Sequence, residues 1–332
     1  MFYTMRRLLR PLLFLCLLST AALAAAQTSW PSQPIRLVMS GAPGTPPDVV
    51  GRLFASALGD SLGTPVVVEN KTGIGSVIAM AEVHRSPADG HTLLYAVNNV
   101  FSVNPLVSMG TPDARPDFVR QPLDAFKPVG TTLQQGLVLI ATKGFPAEDF
   151  AALVAHVKGH PGQVNYGSYG AGSLPHLAME MVAERNGLDM AHIPYKGGAL
   201  TDLIAGHISL LIEPVGTALP HIQAGAVKAL AYTGTQRHRS LPDVPTLGEL
   251  GSGEPVFGWH AIWVRADTPP AIAERLAAEL RKAAATPQVQ QRLQDLGYDP
   301  LTSEPDAIVN RMTAEAGGWA KLVQDRNINL TQ

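Results

Sequence analysis

The stretch from Gly167 to His176, GSYGAGSLPH, combines residue types that can hold an anion. Its glycines let the backbone turn several N–H groups toward one point. A short strand-like run ends at Tyr166 just before it, and a helix-like run begins at Leu177. Because the first N–H groups of a helix lack internal partners and the helix dipole is positive there, this order of elements favours an anion site. An ordinary strand-to-helix turn, with Ser173 as the N-cap, is the alternative.

The same residues suggest a hydrolase as a second alternative, because Ser168 and Ser173 stand close to His176. A serine three residues before a histidine at a helix start is more typical of a cap than of a nucleophile and its base. No Gly-x-Ser-x-Gly elbow accompanies the pair. The histidines do not show metal-ligand spacing, and the glycine loop before Ser76 lacks the lysine of a phosphate-binding loop. The sequence therefore predicts no catalytic residues.

Length and charge narrow the function classes further. The chain has 332 residues, which is enough for two domains, and 25 Lys and Arg face 27 Asp and Glu for a net charge of −2. No cluster of basic residues interleaved with aromatics is present. The composition therefore argues against nucleic-acid binding.

The first residues have the pattern of a secretory signal peptide. Three arginines precede an apolar run from Leu12 to Leu18, and three alanines end at Ala26. A membrane anchor is the alternative, but the run is shorter than the ~20 residues of a spanning helix. The sequence predicts a cleaved signal peptide over residues 1–26. The single cysteine, Cys16, lies inside it, so the mature chain is expected to lack disulfides.

Strand-like and helix-like segments alternate along the chain. Ile35–Met39, 66–68 and Thr92–Val97 are apolar runs, and the first two are each followed by a Gly/Pro-rich loop and a segment of helical periodicity. The loop after the first run gives Thr45 and Asp48 the spacing of a capping box. Further strands are expected at 137–141, 164–166, 192–195, 208–212, 227–232 and 258–264, whereas 108–127 is predicted to be a surface excursion. This order predicts a parallel, helix-covered sheet with ligands at the carboxyl ends of the strands.

Short motifs then occur in order along almost the whole chain. They include Ala42-Pro43-Gly44 with Asp48, Val67-Val68-Glu69-Asn70, Pro87-Ala88-Asp89-Gly90, Val164-Asn165-Tyr166-Gly167-Ser168, Pro194-Tyr195-Lys196-Gly197 and Leu241-Pro242-Asp243-Val244-Pro245-Thr246. In this series the chain resembles the periplasmic substrate-binding receptors of tripartite tricarboxylate transporters, the Bug-type receptors.

The resemblance implies an α/β fold of two domains arranged as a clamshell, the type II periplasmic binding protein fold. Residues 27–132 with 256–332 would form domain 1, and residues 133–255 domain 2, with the ligand in the cleft between them. It also implies a periplasmic, monomeric receptor that binds a small organic carboxylate and delivers it to membrane permease subunits. No cofactor or metal is expected. A periplasmic sensor that presents the bound acid to a signalling partner is the alternative.

The resemblance also implies a set of ligand contacts, in which backbone N–H groups hold a ligand carboxylate. From domain 1 these residues are Ala42, Gly44, Thr45, Asp48, Gly75, Ser76 and Asn98; from domain 2 they are Ser168, Gly172, Ser173, His176, Tyr195, Gly197 and Glu213.

The sequence departs from the family pattern at four places, one of which is a loop after Tyr195-Lys196-Gly197 that is about two residues shorter than usual. Thr45-Pro46-Pro47 stands where relatives usually carry glycines, Leu174-Pro175 where they often carry Ser or Thr, and Glu213-Pro214 where an Asp-Asn pair is common. These changes remove hydrogen-bonding groups and add apolar ones. They predict a ligand with one carboxylate and an apolar or aromatic body rather than citrate. Since the Glu213 carboxylate would repel that of the ligand, it is expected to accept from a ligand donor or from a nearby Tyr or Lys.

Overall fold

The computed structural model describes residues 30–73, 76–107, 116–195 and 197–330. The predicted signal peptide and Gly75 lie outside these ranges. The strands are β1 (Ile35–Met39), β2 (Val66–Asn70), β3 (Thr92–Val97), β4 (Phe126–Thr142), β5 (Asn165–Ser168), β6 (Ala191–Pro194), β7 (Leu210–Pro214), β8 (Val227–Tyr232), β9 (Phe257–Arg265) and β10 (Asp299–Pro300). The helices are α1 (Pro46–Leu62), α2 (Val77–Arg85), α3 (Asn99–Ser102), α4 (Asn104–Val107), α5 (Asp117–Arg120), α6 (Pro122–Ala125), α7 (Phe150–Gly159), α8 (Leu174–Asn186), α9 (Ala199–Ala205), α10 (Val215–Gln223), α11 (Pro270–Ala284), α12 (Pro287–Asp295) and α13 (Pro305–Asp325).

The first half of the fold is a sheet in the order β2-β1-β3-β9-β4. Strand β1 runs parallel to both β2 and β3, and β9 runs antiparallel between β3 and β4. Four of the five β1 residues are buried, as expected for a strand covered by helices on both faces. Helix α1 packs its buried residues Phe54 and Leu58 into the same core cluster as Ile35 and Leu37.

The second half is a sheet built on the other end of β4. Strand β4 pairs antiparallel with β7 and β8, and β5 runs parallel between β7 and β6. The change of partners falls in the middle of β4: Gly136 lies opposite Phe257 of β9, and Leu137 lies opposite Pro214 of β7. One long strand therefore belongs to both sheets.

This register brings the carboxyl ends of both sets of parallel strands to the middle of β4. Val97, at the end of β3, lies opposite His260, close to the start of β9 at Phe257. Phe257 lies opposite Gly136, while Pro214 at the end of β7 lies opposite the next residue, Leu137. The loops that follow β1, β2 and β3 therefore face the loops that follow β5, β6 and β7.

Helix α13 connects the two halves. Its residues Ile308 and Met312 belong to the core cluster of Trp259 and Trp263, whereas Trp319 belongs to the cluster packed around α8. Trp259 and Trp263 are fully buried, so the return strand β9 lies at the centre of the first sheet. The exact domain boundaries stay a prediction.

The predicted elements differ from the observed ones where Gly and Pro interrupt the pattern. Strand β4 begins at Phe126 rather than at 137, and it tolerates Pro128 because its register with β9 shifts just after that residue. Helix α10 begins at Val215, directly after β7, although Gly216 and Pro220 hide its helical periodicity in the sequence. The predicted excursion 108–127 is partly helical and partly strand from 116 onward. Within the described ranges, no helix is both long and apolar enough to cross a membrane.

Candidate functional site

The Gly/Ser loop between β5 and α8 has the conformation expected of an anion-binding turn. Gly170 and Gly172 adopt positive φ values of 107° and 76°, which side-chain-bearing residues rarely adopt. Ser173 is the N-cap residue of α8 in an extended conformation, with φ −66° and ψ 153°. Its hydroxyl does not cap the helix, contrary to the capping alternative. The Ser173 Oγ is buried and has no hydrogen-bond partner among the residues that the structure describes.

Two backbone donors lie beside this hydroxyl. The N–H of Leu177 is the first to bond within the helix, donating to the Ser173 carbonyl at 3.0 Å. Pro175 has no N–H, so the N–H groups of Leu174 and His176 are the ones without an intrahelical acceptor. The start of α8 therefore presents three donors, one hydroxyl and two N–H groups, at the positive end of the helix dipole.

Three further N–H groups of the loop bond within the loop and its helix. Gly170 donates to Ser168 Oγ at 3.2 Å, and Ser173 donates to the Gly170 carbonyl at 3.1 Å. Gly172 donates to His176 Nδ1 at 3.0 Å. These bonds fix the loop, so the predicted residues Ser168 and Gly172 act here by positioning the turn.

Two histidines stack beneath the loop. The rings of His176 and His192 lie 3.8 Å apart at an angle of 11°, and His192 Nε2 is 2.6 Å from Ser168 Oγ. Because His176 Nδ1 accepts from Gly172, its ring is neutral with the proton on Nε2. Burial, together with His192, lowers the pKa of His176 to about 4, while burial also lowers the pKa of His192. Both rings are therefore neutral near pH 7.

A buried acid anchors the underside of α8. Glu180 accepts from the Tyr166 hydroxyl and from Arg326 Nε, the latter at 3.0 Å. Tyr166 also stacks on His192, with 5.0 Å between ring centroids. Sequence reasoning missed His192 and Glu180. His192 precedes a matched motif by two residues, but only the pairing of β5 with β6 brings it to Tyr166.

A carboxyl group lies at the end of β7. Glu213 is only 3% exposed, and its Oε2 accepts from the Tyr169 hydroxyl at 2.5 Å, so a nearby tyrosine supplies one of the donors expected from the sequence. Burial raises the pKa of Glu213 to about 7. Tyr169 is 40% exposed, so it presents an aromatic surface beside the start of α8. The sequence-based set of contacts left out Tyr169, although it lies inside the Gly/Ser loop.

The loop after β6 is tied down by its tyrosine. Tyr195 donates its N–H to the Ser168 carbonyl at 2.9 Å and its hydroxyl to Asp202 Oδ2 at 2.8 Å. Its hydroxyl therefore points to α9. Gly197, in the same loop, is exposed.

In the loop after β1, which faces the start of α8, the carboxylate of Asp48 occupies the start of α1. Asp48 is 3% exposed and accepts from the Gly44 N–H at 2.9 Å, from Arg52 Nε at 3.0 Å and from Asn70 Nδ2 at 2.7 Å. The hydrogen bond from Arg52 is the main cause that lowers the pKa of Asp48 to about 2. Asp48 is therefore ionised and already satisfies the positive end of α1.

The capping box expected at this helix is displaced. Asp48 accepts from Gly44 rather than from the N–H of Thr45, and the Thr45 hydroxyl donates to the Ala42 carbonyl at 2.6 Å instead of accepting from the helix. The Thr45 N–H is itself engaged, since it donates to the Ala42 carbonyl at 3.1 Å. Ala42 and Gly44 are exposed.

The remaining predicted residues of this side are Ser76 and Asn98. Ser76 immediately precedes α2 but its side chain does not cap it: the residue adopts a left-handed conformation with φ 63° and donates its hydroxyl to Ser40 Oγ at 2.7 Å. Asn98 donates to Glu315 Oε2 at 3.0 Å and accepts from the Trp259 N–H at 3.3 Å. Asn98 thus joins β3 to β9 and α13.

The two sides are therefore unequal. The start of α8 holds unfilled donors, whereas the start of α1 is occupied by Asp48 and is lined by exposed Ala42 and Pro46. Leu174 and Pro175 are buried, and Leu174 belongs to the core, so the apolar surface attributed to this pair does not face the loop. Tyr169 provides that surface instead. Among the described residues, no group of His, Cys, Asp and Glu side chains could hold a metal ion.

The fold and these two facing sets of loops define the class of periplasmic binding proteins, two-sheet α/β receptors. The model of the tripartite tricarboxylate transporter family receptors, TctC, matches residues 36–328. The chain therefore belongs to this family, which confirms the resemblance, and the family is one of solute-binding receptors rather than enzymes. A UPF0065 protein of Bordetella pertussis is 34% identical over 298 residues, which is 88% of this chain and 89% of the relative.

Solved structures agree with the fold. The periplasmic binding protein BugD is 30% identical with a TM-score of 0.76, over 90% of this chain and 99% of that one. An R. palustris protein solved with adipate is 27% identical with a TM-score of 0.79, over 90% of this chain and 99% of that one. MatC of Rhodopseudomonas palustris, with bound malate, is 26% identical with a TM-score of 0.73, over 89% of this chain and all of that one. These matches confirm the predicted fold class.

Proposed function

We propose that the chain binds a small organic acid with its carboxylate on the start of α8 and an apolar or aromatic body between Tyr169 and the loop that follows β1. The observation that carries this proposal is the set of three unfilled donors: the Ser173 hydroxyl and the N–H groups of Leu174 and His176. Relatives of similar structure hold adipate and malate, which are carboxylates.

The difference between the starts of α8 and α1 supports a ligand with one carboxylate rather than several. Ionised Asp48 fills the facing helix start, so a second ligand carboxylate placed there would meet a like charge. The neutral rings of His176 and His192 add no positive charge beneath the loop. Affinity then comes from hydrogen bonds to an anion at a helix start, each contributing about 1.5–3 kcal/mol.

The rest of the proposal concerns the path of the ligand. The receptor is exported through the signal peptide at residues 1–26, closes its two domains around the acid as a monomer, and passes it to the permease subunits of a tripartite transporter. Membership of the receptor family supports this assignment. The division into residues 27–132 with 256–332, and 133–255, belongs to the same proposal.

Isothermal titration calorimetry with matched pairs of compounds tests the binding step. Benzoate is compared with benzyl alcohol, and hexanoate with 1-hexanol, so that each pair differs in a single carboxylate. We expect the acids to bind and the alcohols not to bind, and benzoate to bind more tightly than citrate. Tighter binding of citrate would contradict the apolar body of the ligand, and no binding by any of these acids or malate would contradict the receptor proposal.

Uptake measurements test the delivery step. Cells that lack the gene are supplied with the radiolabelled acid that binds most tightly in the titrations. Loss of uptake, restored by the wild-type gene, is the expected result. Normal uptake in the deleted strain would instead favour a receptor that reports on the acid rather than transporting it.

A further inference from the structure

Two adjacent glycines, Gly317 and Gly318, stand in the interior of the long helix α13. A glycine in a helix interior shifts the equilibrium away from the helix by about two- to fivefold relative to alanine. The helix nevertheless runs unbroken through both residues, and neither has a positive φ. The pair therefore weakens α13 without being required by its backbone conformation.

Close packing does not explain the pair either. A Cβ added at Gly51 of α1 would lie 2.3 Å from Met39 Cε, and one added at Gly216 of α10 would lie 2.4 Å from a backbone oxygen. At Gly317 and Gly318 an added Cβ would meet no atom within 4 Å outside the backbone of the helix itself, and both residues are exposed. What the glycines contribute at these two positions is freedom of the backbone to bend.

The part of α13 before the pair is fixed to the first sheet. Glu315 accepts from Trp259 Nε1 at 2.8 Å and from Asn98 Nδ2 at 3.0 Å. Ile308 and Met312 lie in the core cluster that contains Trp259. Strand β9 and the residue that follows β3 therefore hold this part of the helix up to Glu315, two residues before the pair.

The part of α13 after the pair is fixed to α8. Arg326, which directly follows α13, pairs with Glu180 of α8, and its Nε lies 3.0 Å from Glu180 Oε2. Trp319 and Leu322 lie in the core cluster that contains Leu177 of α8. The glycine pair thus stands between an anchor on the first sheet and an anchor on the helix whose start carries the proposed carboxylate site.

A groove beside the pair leaves room for movement. It has a volume of about 670 Å³ and lies between α8, the residues that precede β9, and α13. Gly318 and Trp319 line it from α13, and Met181 and Arg185 line it from α8. The angle of α13 at the pair can therefore change on this side without displacing a packed side chain.

We propose that α13 bends at Gly317-Gly318 when the two halves of the fold close around a bound acid. The part before the pair then moves with the first sheet, and the part after it moves with α8. The inference rests on the proposed function, in which the halves close. The unbroken helix belongs to the form without ligand, and the glycines lower the cost of opening its hydrogen bonds on closure.

Alanine at both positions opposes this bend. The double variant Gly317→Ala/Gly318→Ala should bind benzoate about tenfold more weakly than the wild type in titration calorimetry, since each residue contributes about two- to fivefold. Its midpoint of urea unfolding should rise, which distinguishes a stiffer helix from a damaged fold. Gly159→Ala, at an exposed glycine where a Cβ also meets no atom within 4 Å, is the control and should bind benzoate as the wild type does.

Hydrogen exchange followed by mass spectrometry gives a second readout on the wild type. Each N–H of an α-helix donates to the carbonyl four residues earlier, so the N–H groups of residues 319–321 donate across the pair. Saturating benzoate should speed exchange in a peptide that spans 319–321 several-fold, because the bend opens these bonds, while it slows exchange in the loop 167–176. In the double variant benzoate should not speed exchange at 319–321.

The outcomes separate this inference from the proposed function. Equal or tighter binding of benzoate by the double variant would overturn the bend alone. Unchanged or slower exchange at 319–321 when the wild type binds benzoate would overturn it as well. No binding of benzoate or hexanoate to the wild type would overturn the proposed function, and the inference with it.

Discussion

Removing the charge of Glu213 should stabilise the protein at neutral and alkaline pH. The side chain is 3% exposed and accepts hydrogen bonds only from neutral hydroxyls among the described residues. Burial raises its pKa from 4.5 to about 7, so the folded state keeps a proton that the unfolded state has already lost. Between these two values the stability of the wild type falls as the pH rises, because the folded state binds more protons.

The size of the effect follows from the shift. At about 1.4 kcal/mol per pKa unit, the buried charge costs the folded state about 3 kcal/mol above pH 7. Glu213→Gln has no charge to bury. Its free energy of unfolding relative to the wild type should therefore rise by about 3 kcal/mol from pH 4.5 to pH 7 and then level off.

Urea unfolding of both proteins at pH 4.5, 5.5, 7 and 8 measures this difference. The comparison across pH matters more than the offset at any one value, since the amide also changes the hydrogen bonds with Tyr169. Glu254→Gln, at an exposed position, should show no such pH dependence. A constant difference between Glu213→Gln and the wild type from pH 4.5 to pH 8 would refute the reasoning.

Three other changes test separate parts of the account. Ser173→Ala should weaken benzoate binding about tenfold or more in calorimetry, because the ligand loses one hydrogen bond. The variant should keep its stability, since the Ser173 hydroxyl has no described partner in the free protein. Ser32→Ala is the control and should bind benzoate as the wild type does; equal affinities of Ser173→Ala and the wild type would remove Ser173 from the site. Gly216→Ala should lower the free energy of unfolding, measured in urea, by about 1–3 kcal/mol, because the added Cβ would lie 2.4 Å from a backbone oxygen. Gly159→Ala is the control, since a Cβ there meets no atom within 4 Å. Equal stabilities of the two variants would contradict the close packing at Gly216. His176, with its pKa lowered to about 4, should stay neutral in NMR titrations down to pH 5, and a midpoint near 6.5 would disprove its burial.

Much of the fold was predictable because the chain follows local rules. Strands β1 and β3 and the start of α1 at Pro46 lie where apolar runs and proline placement predict them. The loop from Gly167 to His176 is a strand-to-helix turn with positive-φ glycines, as its composition predicts. These features depend on neighbours in sequence, which a single sequence displays.

Features that depend on contacts between distant parts of the chain could not be predicted from the sequence. The first part of β4, which contains Pro128 and Gly130, is a strand because it pairs with β9, about 130 positions later in the sequence. The stacking of His192 on His176 requires the pairing of β5 with β6. Leu174 was predicted to add apolar surface to the ligand site, but it is buried in the core. The sequence shows its residue type but not the residues that cover it.

The most direct test of the account is a crystal structure of the protein with bound benzoate. The account predicts that the carboxylate lies within hydrogen-bond distance, about 3 Å, of Ser173 Oγ and of the N–H groups of Leu174 and His176, with the ring against Tyr169. A carboxylate bound at the start of α1 instead, or anywhere away from the start of α8, would contradict it.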